Sequence, residues 1–351
     1  MANMAQAIRM ALHVGETRLG VKDIFGQDVG APLGGVFTAT QGLKTAWNSP
    51  LDERGIIGMA MGIAMAGDRC VAEIQFCDYI FNTIDQLKIA GNTYWVTNGN
   101  YPLPMTVMTP VGAGIRGSVY HSHSFDSWAS RLPGWKIVMP SNPLDAYGLL
   151  LSAIRDPNPV LFLKPKALMR IKGEELIPGE PIDEKDLKAC IDAPIGDRTK
   201  WKPKWPEVQE YYVELGKARI TREGSDLTLV SYGRHLLLCN EVADQLKSEG
   251  ISIEVMDLRT LFPYDWQSIR QSVEKTKRVL FVNEDTEVTN FGEHLVYRCV
   301  QELFYHLLAR PRVLAGKNVP GIGLHHNLED ASVPQKRDIE REVREILAEV
   351  P

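Results

Sequence analysis

The stretch Asn48–Phe81, with the sequence NSPLDERGIIGMAMGIAMAGDRCVAEIQFCDYIF, decides the fold of this chain. Its first half carries glycines three and four residues apart among isoleucine, methionine and alanine, a spacing that predicts one face of an α-helix. Because glycine has no side chain, Gly55, Gly58 and Gly62 would let another backbone approach that face. We therefore predict a buried, all-apolar helix that begins beside Glu53.

A short strand follows this helix. Gly67-Asp68 is a turn signal, and Cys70–Phe76 is a short apolar run that predicts a strand. At the other end, a carboxylate such as Glu53 suits the positively polarised start of a helix. Glu53 can therefore be a dipole-complementing residue or a functional one, and the pattern alone leaves both interpretations open.

Strand and helix signals alternate through the rest of the first half of the chain. Helices are predicted at 4–14, 40–47, 82–93 and 143–155, and strands at 22–26, 103–109, 136–139 and 160–164. Such alternation predicts an α/β domain with a mainly parallel, doubly wound sheet. Between these elements, residues 110–118 are predicted to form a flexible glycine-rich loop.

Residues 171–213 interrupt this alternation, since they are rich in proline, lysine, glutamate and tryptophan. We interpret them as a connector, either a solvated loop or a segment that docks a partner. The chain thus divides into a first domain at 1–170 and a second α/β domain at 214–351. In the second, strands are predicted at 227–232, 253–257 and 278–284, and helices at 236–248, 265–275, 290–308 and 336–348.

Composition is that of an ordinary globular protein, with 44% hydrophobic and 24% charged residues among 351. The net charge of -5 gives no reason to expect nucleic acid or an acidic membrane surface as a partner. The five cysteines are scattered and form no CxxC pair, which favours reduced thiols over disulfides or a zinc site. No apolar run is long enough to cross a bilayer. We expect a cytoplasmic protein, or a mitochondrial matrix protein in a eukaryote.

Several segments, in their order along the chain, resemble one enzyme family. They are the helix entry Pro50–Gly55, the strand EIQFCDYIF at 73–81, Tyr120-His121-Ser122, the turn IRDPNPV at 154–160 and MDLRT at 256–260. Together they are similar to the β subunits of 2-oxoacid dehydrogenase E1 components, the thiamine-diphosphate enzymes of the pyruvate and branched-chain complexes. The resemblance covers most of the chain. It implies a pyrimidine-binding domain followed by a transketolase C-terminal-like domain.

The resemblance assigns roles to four residues. It implies that Glu53 activates the cofactor, because a carboxyl group in a dry pocket that hydrogen-bonds the cofactor's pyrimidine makes its amine more basic. Tyr79 matches the aromatic ring stacked on the pyrimidine, and Gln75 matches an amide of the same pocket. His121 matches the histidine linked to the substrate carboxylate and to acyl transfer onto lipoyl-lysine, and a loop histidine can titrate near neutrality.

The resemblance also implies two metal ions, only one of them in this chain. The turn at 154–160 matches a segment that holds a structural potassium ion in branched-chain enzymes, so Asp156 and Asn158, with the strand around Thr106, are predicted to bind K⁺. The Mg²⁺ that carries the diphosphate needs a GDG motif. Gly67-Asp68-Arg69 and Gly196-Asp197-Arg198 begin this motif and fail at its third residue. We therefore expect an α subunit to supply Mg²⁺ and the diphosphate half, in an α2β2 heterotetramer.

The leading hypothesis is a β subunit that, with its α subunit, decarboxylates a 2-oxoacid and transfers the acyl group to the lipoyl domain of an E2 acyltransferase. Branched-chain substrates are favoured and pyruvate is second. One alternative is an acetoin dehydrogenase β subunit, and another is a self-sufficient transketolase-like enzyme. A non-enzymatic alternative is an E2-docking scaffold with a vestigial site, and an electron carrier of the flavodoxin type is more distant because no phosphate-binding loop follows the first strand.

Overall fold

The chain forms two compact units in the computed structural model, which describes residues 1–196 and 200–349. The first unit consists of Met1–Pro110 with Arg131–Leu215, and the second of Val111–Ser130 with Gly216–Pro351. The sequence contained no signal that residues 111–130 pack with residues after 216. The domain ranges 1–170 and 214–351 stay a prediction.

Helices and strands alternate along the described chain. The α-helices are α1 Met4–Arg18, α2 Glu53–Met65, α3 Ile84–Val96, α4 Asp126–Ala129, α5 Pro143–Arg155, α6 Glu184–Ile191, α7 Arg234–Lys247, α8 Trp266–Thr276, α9 Phe291–Leu303, α10 His326–Ser332 and α11 Lys336–Ala348. The strands are β1 Val21–Gly26, β2 Ala46–Asn48, β3 Arg69–Glu73, β4 Met105–Val111, β5 Lys136–Val138, β6 Val160–Pro165, β7 Arg219–Arg222, β8 Leu227–Ser231, β9 Ile253–Asp257, β10 Thr260–Phe262, β11 Val279–Thr286 and β12 Arg312–Gly316. Among the residues so described, no helix is long and apolar enough to span a membrane.

Parallel strand pairs build the sheet of the first unit, where the strand order is β5-β6-β4-β3-β1-β2. β1 pairs in parallel with β2 and β3, β3 pairs with β4, and β5 pairs with β6. Parallel neighbours need crossover connections, and helices supply most of them. α1 packs against α5, and α2 packs against β3. The predicted parallel α/β fold is confirmed in this unit.

The second unit has a sheet of order β12-β11-β8-β9-β7. β8 pairs in parallel with β9 and β11, whereas the edge strand β7 is antiparallel to β9. α11 places Ile339, Val343 and Ile346 on one face at helical spacing, and all three are buried in the core with α7. The amphipathic pattern of the last helix therefore becomes a covering layer of this sheet.

Local sequence signals gave some boundaries correctly and one element wrongly. α5 spans the predicted 143–155, and the Asn142 side chain caps it by accepting the N–H of Asp145 at 2.8 Å. The helix predicted at 40–47 is wrong, because this stretch forms turns and then β2. Gly42 has a φ of 79° there, and β2 is held by pairing with β1. The helix predicted at 290–308 ends at Leu303.

The connector at 171–213 is part of the first unit and contacts its helices α1 and α5. It contains α6, and Arg9 of α1 forms an ion pair with Asp192 just after that helix. The Trp205 ring stacks on His13 with centroids 4.1 Å apart. Tyr147 of α5 donates its hydroxyl to the carbonyl of Gln209 at 2.7 Å. A solvated loop is therefore the wrong interpretation for these parts, and docking of a partner stays a prediction.

A buried ion pair joins the strand of the quoted stretch to β6. The carboxylate of Glu73 accepts from the Lys164 ammonium, and both side chains are fully buried. The second oxygen of Glu73 accepts the backbone N–H of Val36 at 2.9 Å. Buried charges are tolerated only when paired and hydrogen-bonded, so this contact fixes β3, β6 and the turn at Val36 together.

We expect Lys164→Met to destabilise the chain by about 3–5 kcal/mol, because it leaves the Glu73 charge buried and unpaired. Urea unfolding of the full chain measures the loss. Lys172→Met, which breaks a more exposed pair with Glu184, is the matched control and should cost less than about 1 kcal/mol.

The double variant Glu73→Gln with Lys164→Met tests the cause. It removes both charges and keeps an acceptor for Val36, so it should be more stable than Lys164→Met alone. A double variant that is less stable than the single one would contradict a charge-pairing origin.

Candidate functional site

Glu53 is the first residue of α2, as the sequence predicted. Asp52 precedes it as the N-cap residue, without a side-chain capping hydrogen bond. The Glu53 side chain is half-buried, and its Oε2 lies 3.4 Å from Nδ2 of Asn82. Arg54, the next residue, turns away to form a bidentate ion pair with Asp85. Asn82 is thus a neighbour of Glu53 that the sequence reasoning missed.

The surroundings of α2 differ from the predicted buried, all-apolar helix. Only Ile56, Ile57, Ala60 and Ala64 of this helix are buried. Gly62 is exposed, and a Cβ added there would meet nothing within 4 Å. The glycine face is therefore covered in part, because a Cβ at Gly58 would lie 3.2 Å from Nε2 of Gln86 in α3, whereas the Gly62 end is open. The prediction of a dry apolar pocket around Glu53 is wrong for this chain by itself.

Tyr79 and Gln75 follow β3 on the same stretch. The Tyr79 ring meets Phe76 edge-on with centroids 6.0 Å apart, and burial, then the charges of Asp78 and Glu53, raise the pKa of the Tyr79 hydroxyl. Glu53 is the weakest of these three influences on the pKa of Tyr79. Gln75 donates from Nε2 to the Asp28 carboxylate at 3.2 Å, so its amide reaches a turn near the end of β1.

His121 belongs to the second unit, whereas the three residues just described belong to the first. Its ring is half-buried, and Nδ1 lies 3.1 Å from the carbonyl oxygen of Gly117. Since a carbonyl only accepts, Nδ1 carries the hydrogen, and in the neutral ring Nε2 then keeps the basic lone pair. Gly117 is required, because a Cβ there would lie 2.7 Å from the Cβ of His121.

A buried acidic group near His121 in the chain was not predicted. Asp126 is fully buried, and its Oδ2 accepts the hydroxyl of Tyr232 at 2.7 Å. Its Oδ1 has no hydrogen-bond partner within the described part of the chain. Burial and the charge of Asp285 raise the pKa of the Asp126 carboxyl well above its usual range. Only tertiary structure brings these residues together, so no local sequence signal could have shown this group.

The structure brings two of the three predicted potassium ligands together. Asp156 and Asn158 share one turn, where Oδ1 of Asp156 accepts from the backbone N–H and the side-chain amide of Asn158, both at 2.9 Å. The other oxygen of Asp156 accepts from the Lys136 ammonium. Thr106 is buried in β4. The Asp156 carboxylate is therefore already engaged, and an ion here would depend on carbonyl and amide oxygens.

The first incomplete GDG motif forms a turn and not a metal site. Gly67 and Asp68 are exposed, and Arg69 begins β3 and donates from Nε to the carbonyl of Ile154 at 3.1 Å. In the second, at 196–198, Asp197 and Arg198 lie outside the described residues. Within the described ranges, no group of three or more His, Cys, Asp or Glu side chains is arranged to hold a metal ion.

Two family models match this chain. The transketolase pyrimidine binding domain matches residues 2–172, and the transketolase C-terminal domain matches residues 216–339. A solved structure described as a split-gene transketolase in an inactive β4 tetramer aligns with a TM-score of 0.72, covering 99% of this chain and 98% of that one. At 16% identity, that likeness shows the fold alone.

Curated relatives are much more similar in sequence. The chain is 36% identical to the mitochondrial 2-oxoisovalerate dehydrogenase subunit beta 2 of Arabidopsis thaliana, over 91% of this chain and 82% of that protein. It is 34% identical to the 2-oxoisovalerate dehydrogenase subunit beta of Bacillus subtilis, over 92% and 91%. It is 33% identical to the pyruvate dehydrogenase E1 component subunit beta of Staphylococcus epidermidis, over 96% and 95%.

We expect Asp126→Asn to flatten the pH dependence of stability. Because the pKa of the Asp126 carboxyl is raised in the folded chain, the native state keeps a proton at pH values where the unfolded state has released it. Stability therefore falls as the pH rises from the unfolded pKa toward the folded pKa. The loss reaches about 1.4 kcal/mol for each pH unit in that window. Thermal midpoints at pH 5 and pH 8 measure this loss. Between these two pH values, the midpoint of the variant should fall less than that of the native chain. Equal changes in both proteins would contradict the buried acid.

Proposed function

The chain belongs to the family of 2-oxoacid dehydrogenase E1 β subunits, and we propose that it works as such a subunit, using thiamine diphosphate together with an α subunit. The observation that carries this proposal is the placement of Glu53. Its carboxylate lies half-buried at the start of α2 beside Asn82, and Gly62 of the same helix is exposed. An acid in that position is what a pyrimidine-binding half-site requires.

Thiamine diphosphate, when bound, supplies the carbon nucleophile that a 2-oxoacid needs in order to lose CO2. Glu53 would hold the hydrogen bond to the pyrimidine ring nitrogen, and Tyr79 would stack on the ring with a gain of roughly 1 kcal/mol beyond burial. Gln75 would line the same pocket, oriented by its hydrogen bond to Asp28. The donor chemistry of these residues fits a pyrimidine and contains no group suited to a diphosphate.

The diphosphate and its Mg²⁺ would therefore be held by an α subunit. The partial exposure of Glu53 supports this partner, because the carboxyl group would lose its contact with water when another chain covers it. We propose the α2β2 heterotetramer as the assembled form. Its place would be the cytoplasm, or the mitochondrial matrix in a eukaryote, which agrees with five free cysteines.

The proposed substrate is a branched-chain 2-oxoacid, with pyruvate second. The relatives at 34–36% identity described above act, by their names, on 2-oxoisovalerate, and the one at 33% acts on pyruvate. His121 would meet the substrate carboxylate and serve acyl transfer to the lipoyl group of an E2 acyltransferase, since its Nδ1–H is engaged with Gly117 and its Nε2 keeps a basic lone pair. We propose that the activity is that of an acyl-transferring 2-oxoacid dehydrogenase.

A structural K⁺ is part of the proposal as well. Asp156 and Asn158 supply hard oxygen donors on one turn, with Thr106 on the strand β4. Because Lys136 already neutralises the Asp156 carboxylate, K⁺ would be held by backbone carbonyl and amide oxygens. The ion would then stiffen the turn between α5 and β6 without taking part in the chemistry.

We expect Glu53→Gln to lower kcat of the assembled enzyme by at least about 100-fold, because an amide cannot supply the acidic proton. Asp52→Asn is the matched control, since the Asp52 side chain is exposed and makes no capping hydrogen bond. It should leave kcat within about twofold, the scale of surface effects. Steady-state decarboxylation with saturating thiamine diphosphate and Mg²⁺ measures both. A fully active Glu53→Gln enzyme would instead support the scaffold alternative.

Co-expression with its α subunit tests the half-site. Size exclusion should give a heterotetramer, and decarboxylation should require both chains, because the diphosphate half is absent here. The ratio of rates with 3-methyl-2-oxobutanoate and pyruvate then identifies the substrate branch. A lone chain that turns over either acid would contradict the need for an α subunit.

A further inference from the structure

The segment 111–130, here called the His121 segment, is fastened to the rest of the second unit by three carboxylates. Each of them accepts one backbone N–H of the segment. Glu284 accepts from Ala113 at 3.1 Å, Glu329 from Arg116 at 3.0 Å, and Asp285 from Ser127 at 2.9 Å. The first and third carboxylates come from β11 and the second from α10, so elements far apart in sequence converge on this one segment.

The backbone of the segment needs such support. Gly112, Gly114, Arg116 and Ser118 all have positive φ, between 57° and 94°. Glycine adopts this conformation freely, but Arg116 and Ser118 do so at a cost, and such residues persist only where the surroundings over-determine them. A charged acceptor on the N–H of Arg116 is a strong constraint, because hydrogen bonds to ionised groups exceed those between neutral groups.

Close packing adds to the constraint at both ends of the loop. A Cβ at Gly112 would lie 2.0 Å from Oε1 of Glu284, so the backbone is in contact with that carboxylate. A Cβ at Gly321 would lie 2.7 Å from Cγ1 of Val119, so the loop also meets the backbone near α10. His121 completes the loop through its Nδ1 contact with the carbonyl of Gly117.

We propose that Glu284, Asp285 and Glu329 are positioning residues, whose carboxylates fix the backbone of the His121 segment and thereby the orientation and tautomer of His121. This rests on the proposed function of His121 in acyl transfer. Glu329 is the most direct of the three, because Arg116 immediately precedes the glycine whose carbonyl holds the His121 ring. Loss of the anchor would let that carbonyl rotate away from Nδ1.

Hydrogen exchange in the full chain tests the anchor independently of activity. Glu329→Ala should speed exchange of the amides at 112–121 by about tenfold or more, since it removes the acceptor. Glu329→Gln should stay within about threefold of the native rate, because its amide oxygen can accept the same N–H. Glu287→Gln is the matched control, since that exposed carboxylate accepts from Asn318, outside the segment. If Glu329→Ala does not fold, Glu284→Ala replaces it. Native exchange rates in the alanine variant would overturn the proposal.

Kinetics of the assembled enzyme tests the positioning role. Glu329→Ala should lower kcat for transfer to a lipoyl acceptor by about tenfold or more, with rescue by Glu329→Gln, because misplaced catalytic groups are costly. The KM for thiamine diphosphate should change less than about twofold, since Glu53 and Tyr79 are untouched. Faster exchange with an unchanged kcat would overturn the positioning role of Glu329, although its role as an anchor of the segment would stand. A native complex without 2-oxoacid activity would instead refute the proposed function, and the exchange result would still decide the anchor.

Discussion

The buried pair of Glu73 and Lys164 is the constraint on which the first unit depends. One oxygen of Glu73 neutralises the lysine, and the other holds the N–H of Val36, so a single side chain ties two strands and a turn. Its backbone is equally confined, because a Cβ at Gly26 would lie 2.3 Å from the Glu73 carbonyl oxygen. The residues after Glu73 therefore leave the sheet at a fixed point and direction. Gln75 and Tyr79 lie on that stretch, so the ion pair of Glu73 and Lys164 helps to set the geometry of the candidate pyrimidine pocket.

The sequence predicted those elements whose causes are local. The helix α5 was predicted to its last residue because Asn142 and Pro143 are start signals and an apolar stripe continues to Arg155. The prediction of a helix at 40–47 is wrong because local sequence does not set the conformation of this stretch. Pairing of β2 with β1 and the positive φ of Gly42 decide the conformation there. Tertiary contacts of this kind leave no periodic pattern to find.

The same division holds for the candidate sites. The family resemblance identified Glu53, Tyr79 and His121 as candidate site residues, but it did not predict what surrounds each of them. Asn82 beside Glu53, Lys136 on Asp156 and the carboxylates that hold the His121 segment are all set by tertiary folding. These hydrogen bonds join residues of different elements, and spacing along one chain does not predict which elements meet. The sequence can name a reacting group, whereas the positioning of that group is a property of the fold.

The exposure of Glu53 links the fold to the proposed assembly. A carboxyl group that serves a pyrimidine works best where water is excluded, yet this chain leaves Glu53 half-buried and Gly62 of α2 exposed. An enzyme that completed its site alone would gain from covering both. A subunit has the opposite requirement, because a surface closed within one chain could not receive another. The partial exposure of Glu53 therefore agrees with the incomplete diphosphate motif. Both features are what half of a shared site needs, and each was reached from a different kind of observation.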